Sequence, residues 1–208
     1  MKNNLVILDF DGTMANSAES YFLQSNKILK YYTKKKITRD DFKAIIAGDY
    51  MKILKTLMHP AKLPIFLMHL NLIVGFVKPP VFPGLIDFLN ELKKNNIRIG
   101  ILTANYRFNV VKFLKNNDID LGYFEFIEAS SDKKFKKLSK ILKKIDPVDR
   151  FYFIGDESKD MIAAVRNKGK GLGVSWGFNS RQTLFNNGAV DVFNCYDEIL
   201  DYIKKEKD

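Results

Sequence analysis

Leu5-Val6-Ile7-Leu8-Asp9-Phe10-Asp11-Gly12-Thr13 begins as an apolar run and stops abruptly in two carboxylates and a glycine. A short unbroken apolar run closed by a sharp turn reads as a strand buried on both faces, as inside a parallel sheet. Two later stretches repeat the pattern. Ile99-Gly100-Ile101-Leu102 runs into Thr103, and Phe151-Tyr152-Phe153-Ile154 runs into Gly155-Asp156 and then Asp160. In open α/β sheets, ligands sit beyond the carboxyl ends of the strands. The three stretches, far apart in sequence, are therefore expected to deliver their polar groups to one edge.

Outward from these runs, the chain alternates. Helical spacing over Leu85–Lys94, Phe108–Leu114, Phe135–Ile145 and Met161–Val165 separates strand-like segments at Ile97–Leu102, Phe124–Ile127, Phe151–Ile154 and Leu172–Val174. A short helix near Gln182–Phe185, a strand at Val190–Phe193 and a helix from Tyr196 to Lys204 follow. Such alternation predicts an α/β fold: a doubly wound, mostly parallel sheet joined by right-handed crossovers.

Residues 17–78 break the rhythm and read as helices only. Tyr21, Phe22, Ile28, Leu29 and Tyr32 recur at helical spacing, and Thr38 with Asp41 resembles a capping box ahead of Phe42, Ile45 and Ile46. Gly48 breaks that helix; Met51, Leu54, Leu57 and Met58 form another stripe, and Pro64 suits the first turn of a helix reaching Phe76. Pro79-Pro80 and Pro83-Gly84 are the strongest punctuation. The expected organisation is an α/β core domain from 1–14 and 79–208 with a four-helix cap, 15–78, inserted after the first strand.

Composition narrows the function classes. The 208 residues suffice for one domain with a small insertion, and 17 Phe with 9 Tyr supply large core side chains. A net charge of +10 favours anionic partners, yet only six of the 34 basic side chains are Arg, the preferred reader of bases. The lysines read as a solvated face, so nucleic acid is not an expected partner. Cys195 stands alone, which excludes an intramolecular disulfide and a cysteine zinc site; His59 and His69 are too isolated for a histidine metal cluster. The first strand starts too early to leave room for a signal peptide. The longest apolar stretch, Ile65 to Val77, is interrupted by His69, Asn71 and Gly75 and is too short to span a bilayer. A soluble cytoplasmic protein without membrane partners, monomer or homodimer, is expected.

Asp9 and Asp11 are spaced to point the same way from extended backbone, and Gly12 lets the main chain approach a ligand. Paired carboxylates can divide labour, one ionised and nucleophilic, the other carrying a proton; an Asp-rich turn is the plainer alternative. Thr103 could donate to an anion or cap a helix. Asn105 reads as a cap. Asp160, one turn after Asp156, reads as a first-turn acid complementing the helix dipole.

Taken together, Asp9-Phe10-Asp11-Gly12-Thr13, Thr103 and Gly155-Asp156-Glu157-Ser158-Lys159-Asp160 resemble the signatures of the haloacid dehalogenase-like hydrolase superfamily, over essentially the whole chain. Ser175-Trp176-Gly177-Phe178-Asn179-Ser180 resembles its phosphoglycolate-phosphatase-like branch. The resemblance implies a Mg²⁺-dependent phosphatase acting on a small phosphorylated metabolite. Asp9 would attack phosphorus and Asp11 would act as acid and base; a dehalogenase has no need of that second acid. Thr103 would bind a phosphate oxygen beside the Gly12 turn. Asp9 and Asp156 would supply metal carboxylates and Asp11 a carbonyl, with Asp160 less directly engaged. The family's lysine must come from Asp132-Lys133-Lys134-Phe135-Lys136-Lys137. Lys134 lies one turn before Leu138 on the apolar side, so helical phase favours it over Lys133. Gly48-Asp49-Tyr50 falls where relatives carry a specificity loop, although an ordinary turn is the plainer reading. The resemblance leaves a phosphosugar mutase, a pyrophosphate or nucleoside monophosphate hydrolase, and a non-catalytic anion-binding protein as alternatives.

Overall fold

Two parallel partners flank Asn4–Leu8, and that arrangement decides where the carboxylates go. The computed structural model describes residues 3–44, 50–74, 78–129 and 133–206. Its strands are β1 (Asn4–Leu8), β2 (Arg98–Thr103), β3 (Phe126–Ala129), β4 (Arg150–Gly155), β5 (Lys170–Val174) and β6 (Ala189–Phe193). They form a six-stranded parallel sheet in the order β3-β2-β1-β4-β5-β6. Leu8 of β1 lies opposite Ile101 of β2 and Ile154 of β4. Strand order reverses between β1 and β4, so the ligand crevice of such a sheet opens beside the residues that follow these two strands.

The chain divides into two compact units: Met1–Asn16 with Pro80–Asp208, and Ser17–Pro79. The second contains α1 (Ser17–Leu29), α2 (Arg39–Ala44), α3 (Tyr50–Leu57) and α4 (Leu63–Val74). Its own core gathers Ile28 and Leu29 from α1, Leu54 and Leu57 from α3, and Leu63 and Phe66 from α4. Thr38 and Asp41 exchange hydrogen bonds at the start of α2, Asp41 N–H donating to Thr38 Oγ at 3.1 Å and Thr38 N–H to Asp41 Oδ2 at 2.9 Å. Pro64 sits in the first turn of α4, where its missing N–H costs nothing. Ile45, Ile46, Gly48, Asp49 and the expected end of α4 at Phe76 lie outside the described residues.

The sheet unit adds α5 (Leu85–Lys94), α6 (Arg107–Asn116), α7 (Lys134–Leu142), α8 (Ser158–Arg166), α9 (Arg181–Asn186) and α10 (Tyr196–Lys205). Alternate side chains of β1 serve the two faces. Val6 and Leu8 join Phe88 and Leu89 of α5, Phe113 of α6 and Ile199 of α10. Leu5 and Ile7 join Leu138 and Ile141 of α7 and Ala163 and Ala164 of α8. Both faces being covered, β1 can be apolar throughout, and each such buried side chain contributes about 2 kcal/mol.

One strand is displaced from its expected place. The run expected at Phe124–Ile127 pairs as Phe126–Ala129. Leu121–Tyr123 forms a single 3₁₀ turn, with Asp120 Oδ1 accepting from Gly122 N–H at 2.9 Å. Phe124 closes that turn by donating to Leu121 O, so it is buried without entering the ladder. No described helix is long and apolar enough to cross a membrane.

Candidate active site

Asp9 is the first residue past β1, and its N–H still donates to Ile154 O of β4 at 2.9 Å. The backbone is thus held by the sheet while the side chain projects beyond its edge. Its Oδ1 accepts from Phe10 N–H at 2.8 Å and its Oδ2 from Lys134 Nζ at 2.6 Å. Lys134 opens α7 and is buried, because its helix turns the row of Leu138 and Ile141 into the core. The ammonium also lies 2.6 Å from Asp160 Oδ1 and 3.8 Å from Glu157 Oε2. Burial alone would lower the Lys134 pKa, but Asp160, Asp9 and Glu157 outweigh it and push it up. Lys133 is exposed at the N-cap of α7.

Past β4, Asp156 is fully buried. Thr13 donates its hydroxyl to Asp156 Oδ1 at 2.9 Å, and Phe178 N–H donates to Oδ2 at 2.8 Å. Thr13 is itself pinned, since its carbonyl accepts from Tyr196 Oη at 2.8 Å and Trp176 Nε1 at 3.2 Å. The main chain comes close enough that Gly12, at φ +73°, and Gly177 have no room for a Cβ beside the Asp156 carboxylate. Asp160, in the first turn of α8, accepts from Glu157 N–H at 3.0 Å on the oxygen that Lys134 does not use. Helix-start acid and partner of the lysine are one and the same residue here.

At the end of β2, Thr103 is buried and its Oγ accepts from Asn105 N–H at 3.1 Å. Tyr106, not Thr103, holds the N-cap position of α6. Asp11 lies past Asp9 and takes a hydrogen bond on Oδ2 from Asn105 Nδ2 at 2.7 Å. Asp9, Lys134, Asp156 and Asp160 thus lie in one buried cluster, while Asp11, Thr103 and Asn105 form a second, bonded group at the ends of β1 and β2. The side chains of Thr13 and Asn105 and the backbone of Phe178 escaped the reading by motif. Thr13 and Phe178 stand inside stretches quoted above, but hydroxyl and main-chain donors leave no pattern of their own. Cys195 is exposed, and neither His59, which accepts from Ala61 N–H, nor His69, bonded to Tyr32, belongs to these clusters.

The profile of haloacid dehalogenase-like hydrolases matches residues 6–174, which includes both clusters. The chain belongs to that family. It is 27% identical over 186 residues to a phosphoglycolate phosphatase of Synechococcus elongatus, covering 86% of this chain and 87% of that one. A phosphoglycolate phosphatase of Colwellia psychrerythraea is 24% identical, with 98% of both chains covered. Among solved structures, a haloacid dehalogenase-like family hydrolase from Streptococcus pneumoniae superimposes with a TM-score of 0.79 at 19% identity, covering 97% of this chain and 98% of that one. The fold is therefore that of an enzyme family.

The donor set of this haloacid dehalogenase-like site suits a hard divalent cation. One oxygen each of Asp9, Asp156 and Asp160 lies within 4.8 Å of the others. A carboxylate has lone pairs to spare after accepting one hydrogen bond per oxygen. One ammonium against this group of acids leaves negative charge that burial makes costly. Burial first, then the charge of Asp9, pushes Asp156 up to about 7 against the opposing bonds from Phe178 and Thr13. Asp160 is raised as well, by burial and by Asp9.

An acid whose folded pKa exceeds its unfolded value takes up a proton on folding. Its contribution favours the fold at low pH and is lost as pH rises from 3.8 through about 7. A divalent cation needs the ionised carboxylates and must displace those protons. Its affinity should therefore rise with pH across the same window, by up to about tenfold per pH unit for each proton displaced. The check is the difference in thermal midpoint between cation-loaded and chelator-treated protein, followed from about pH 5 to pH 8. The gap should widen with pH; a gap that narrows would separate the cation from Asp156.

Proposed function

We propose that the protein is a Mg²⁺-dependent phosphatase that hydrolyses a small phosphomonoester of the phosphoglycolate class through an aspartyl-phosphate on Asp9. The observation that carries the reading is Asp9 itself, an acid immediately past β1 with a buried ammonium on one oxygen and a second acid two residues on. Two relatives named as phosphoglycolate phosphatases support the substrate class. Mg²⁺ suits all-oxygen donors and phosphate, and Asp9, Asp156 and the Asp11 carbonyl would hold it, with Asp160 behind them. When bound, it would neutralise phosphate oxygens and polarise the phosphorus.

The chain's own residues account for the rest. An oxygen of Asp9 attacks phosphorus in line as the ester P–O bond breaks, and Asp11 gives its proton to the departing oxygen. Ionised after that transfer, Asp11 takes a proton from the water that attacks the phospho-aspartate, which restores both acids and releases phosphate. Lys134 holds positive charge beside the attacking oxygen throughout. Thr103 offers a hydroxyl, and the Gly12 turn a backbone unencumbered by Cβ, to the equatorial oxygens.

A panel of phosphomonoesters assayed for free phosphate, with Mg²⁺ and with chelator, tests the reading. Expected are Mg²⁺-dependent release and the highest kcat/KM on small carboxylated esters such as phosphoglycolate. Transfer of the phosphoryl group to a sugar hydroxyl instead of water would make the protein a mutase. No release from any ester would overturn the proposal.

A further inference from the structure

We infer that Asn105 is a positioning residue that holds the Asp11 carboxyl for proton transfer to the leaving group; the inference rests on the acid–base role proposed for Asp11. The Asn105 amide is oriented by its surroundings. Its Oδ1 accepts from Tyr106 N–H at 2.7 Å and from Asn109 Nδ2 at 2.8 Å. Two donors converging on one atom identify it as the oxygen, so the opposite end of the amide must be the NH₂. That end faces Asp11 Oδ2 at 2.7 Å. The Asn105 backbone is held as well, through its N–H to Thr103 Oγ at 3.1 Å. Asn109 lies in the first turn of α6, so the start of that helix fixes an amide that in turn fixes the carboxyl.

The geometry has a chemical consequence. The hydrogen bond donated to Oδ2 ties the carboxyl to the start of α6 and so restricts its rotation. When the ester P–O bond breaks and the Asp9 O–P bond forms, the electron pair left on the ester oxygen takes the proton from Asp11. The carboxylate that results keeps the Asn105 donor. An acid held this way starts in the orientation the transition state needs. An aspartate at 105 would still present oxygen to Tyr106 and Asn109 but would turn a like charge toward Asp11.

Asn105→Asp therefore isolates the donor while keeping the helix start. The readout is the dependence of kcat/KM on the leaving group, measured with p-nitrophenyl phosphate and phenyl phosphate. The nitrophenolate departs with little need of a proton, the phenolate with more. Asn105→Asp should raise the p-nitrophenyl to phenyl ratio of kcat/KM by about fivefold or more over wild type, and Asn105→Ala should do so to a similar extent. Asp11→Asn sets the reference and should raise it further. A ratio unchanged in both Asn105 variants while Asp11→Asn raises it would overturn the inference and leave the acid intact. A ratio unchanged in Asp11→Asn would overturn the acid role and the inference with it. Equal losses on both esters would make Asn105 merely structural and also overturn it.

Discussion

Asp9→Asn should abolish phosphate release, with kcat lowered by about four orders of magnitude or more, the scale expected when a covalent nucleophile is removed. The amide is nearly isosteric and can still accept from Phe10 N–H on its oxygen, the bond seen at 2.8 Å. What it loses is the charge and the attacking lone pair. The fold should survive, because the Asp9 charge is one cause of the raised pKa of both Asp156 and Asp160. Removing it relieves repulsion within the buried cluster, while Lys134 keeps Asp160 at 2.6 Å. The chelator-treated variant should therefore melt no lower than wild type, and acid-quenched enzyme exposed to labelled ester should retain phosphate in wild type only. Turnover within an order of magnitude of wild type would remove Asp9 from the role of nucleophile.

How much of this could be read from sequence depended on whether a residue's neighbours were set by strand order or by side-chain packing. β1, β2 and β4 were legible because each is an apolar run with an abrupt polar stop, and a parallel sheet leaves such runs few other places to go. Asp9, Thr103 and Asp156 inherit their positions from those strands. Lys134 follows from helical phase, since α7 has a single apolar side and the lysine continues it. Strand limits were less legible at β3, where a 3₁₀ turn captured Phe124 by a local bond invisible to hydrophobic pattern.

Least legible were contacts made by small or neutral donors. Asn105 looked like a cap, and its oxygen does bond the start of α6; its other end, turned to Asp11, depends on Asn109 competing for that oxygen. Thr13 depends on Tyr196 and Trp176 gripping its carbonyl from distant segments. Nothing in the spacing of those residues signals the contact.

Lys134→Met should give the second large effect, a combined loss of turnover and stability that Lys133→Met does not share. Methionine fills much the same volume, so the loss is one of charge. The Lys134 ammonium stands 2.6 Å from Asp9 and from Asp160 and is almost wholly buried. Breaking a buried ion pair by removing one partner costs about 3–5 kcal/mol, because the remaining charge is left without compensation. Here Asp160, left behind, can escape that cost by taking up a proton. Lys134 holds the Asp160 pKa down against burial, so without it Asp160 should bind its proton still more tightly. A folded-state pKa raised further means stability lost progressively as pH rises. Urea unfolding of chelator-treated Lys134→Met should therefore show a deficit that is small near pH 5 and large near pH 8. Activity should fall by about a thousandfold at either pH, since a protonated Asp160 replaces neither the charge beside the attacking oxygen nor its effect on phosphate. Lys133 points to solvent at the start of the same helix, and its substitution should leave both readouts unchanged. A deficit independent of pH would mean that the lysine's stem, not its ammonium, is what the core requires.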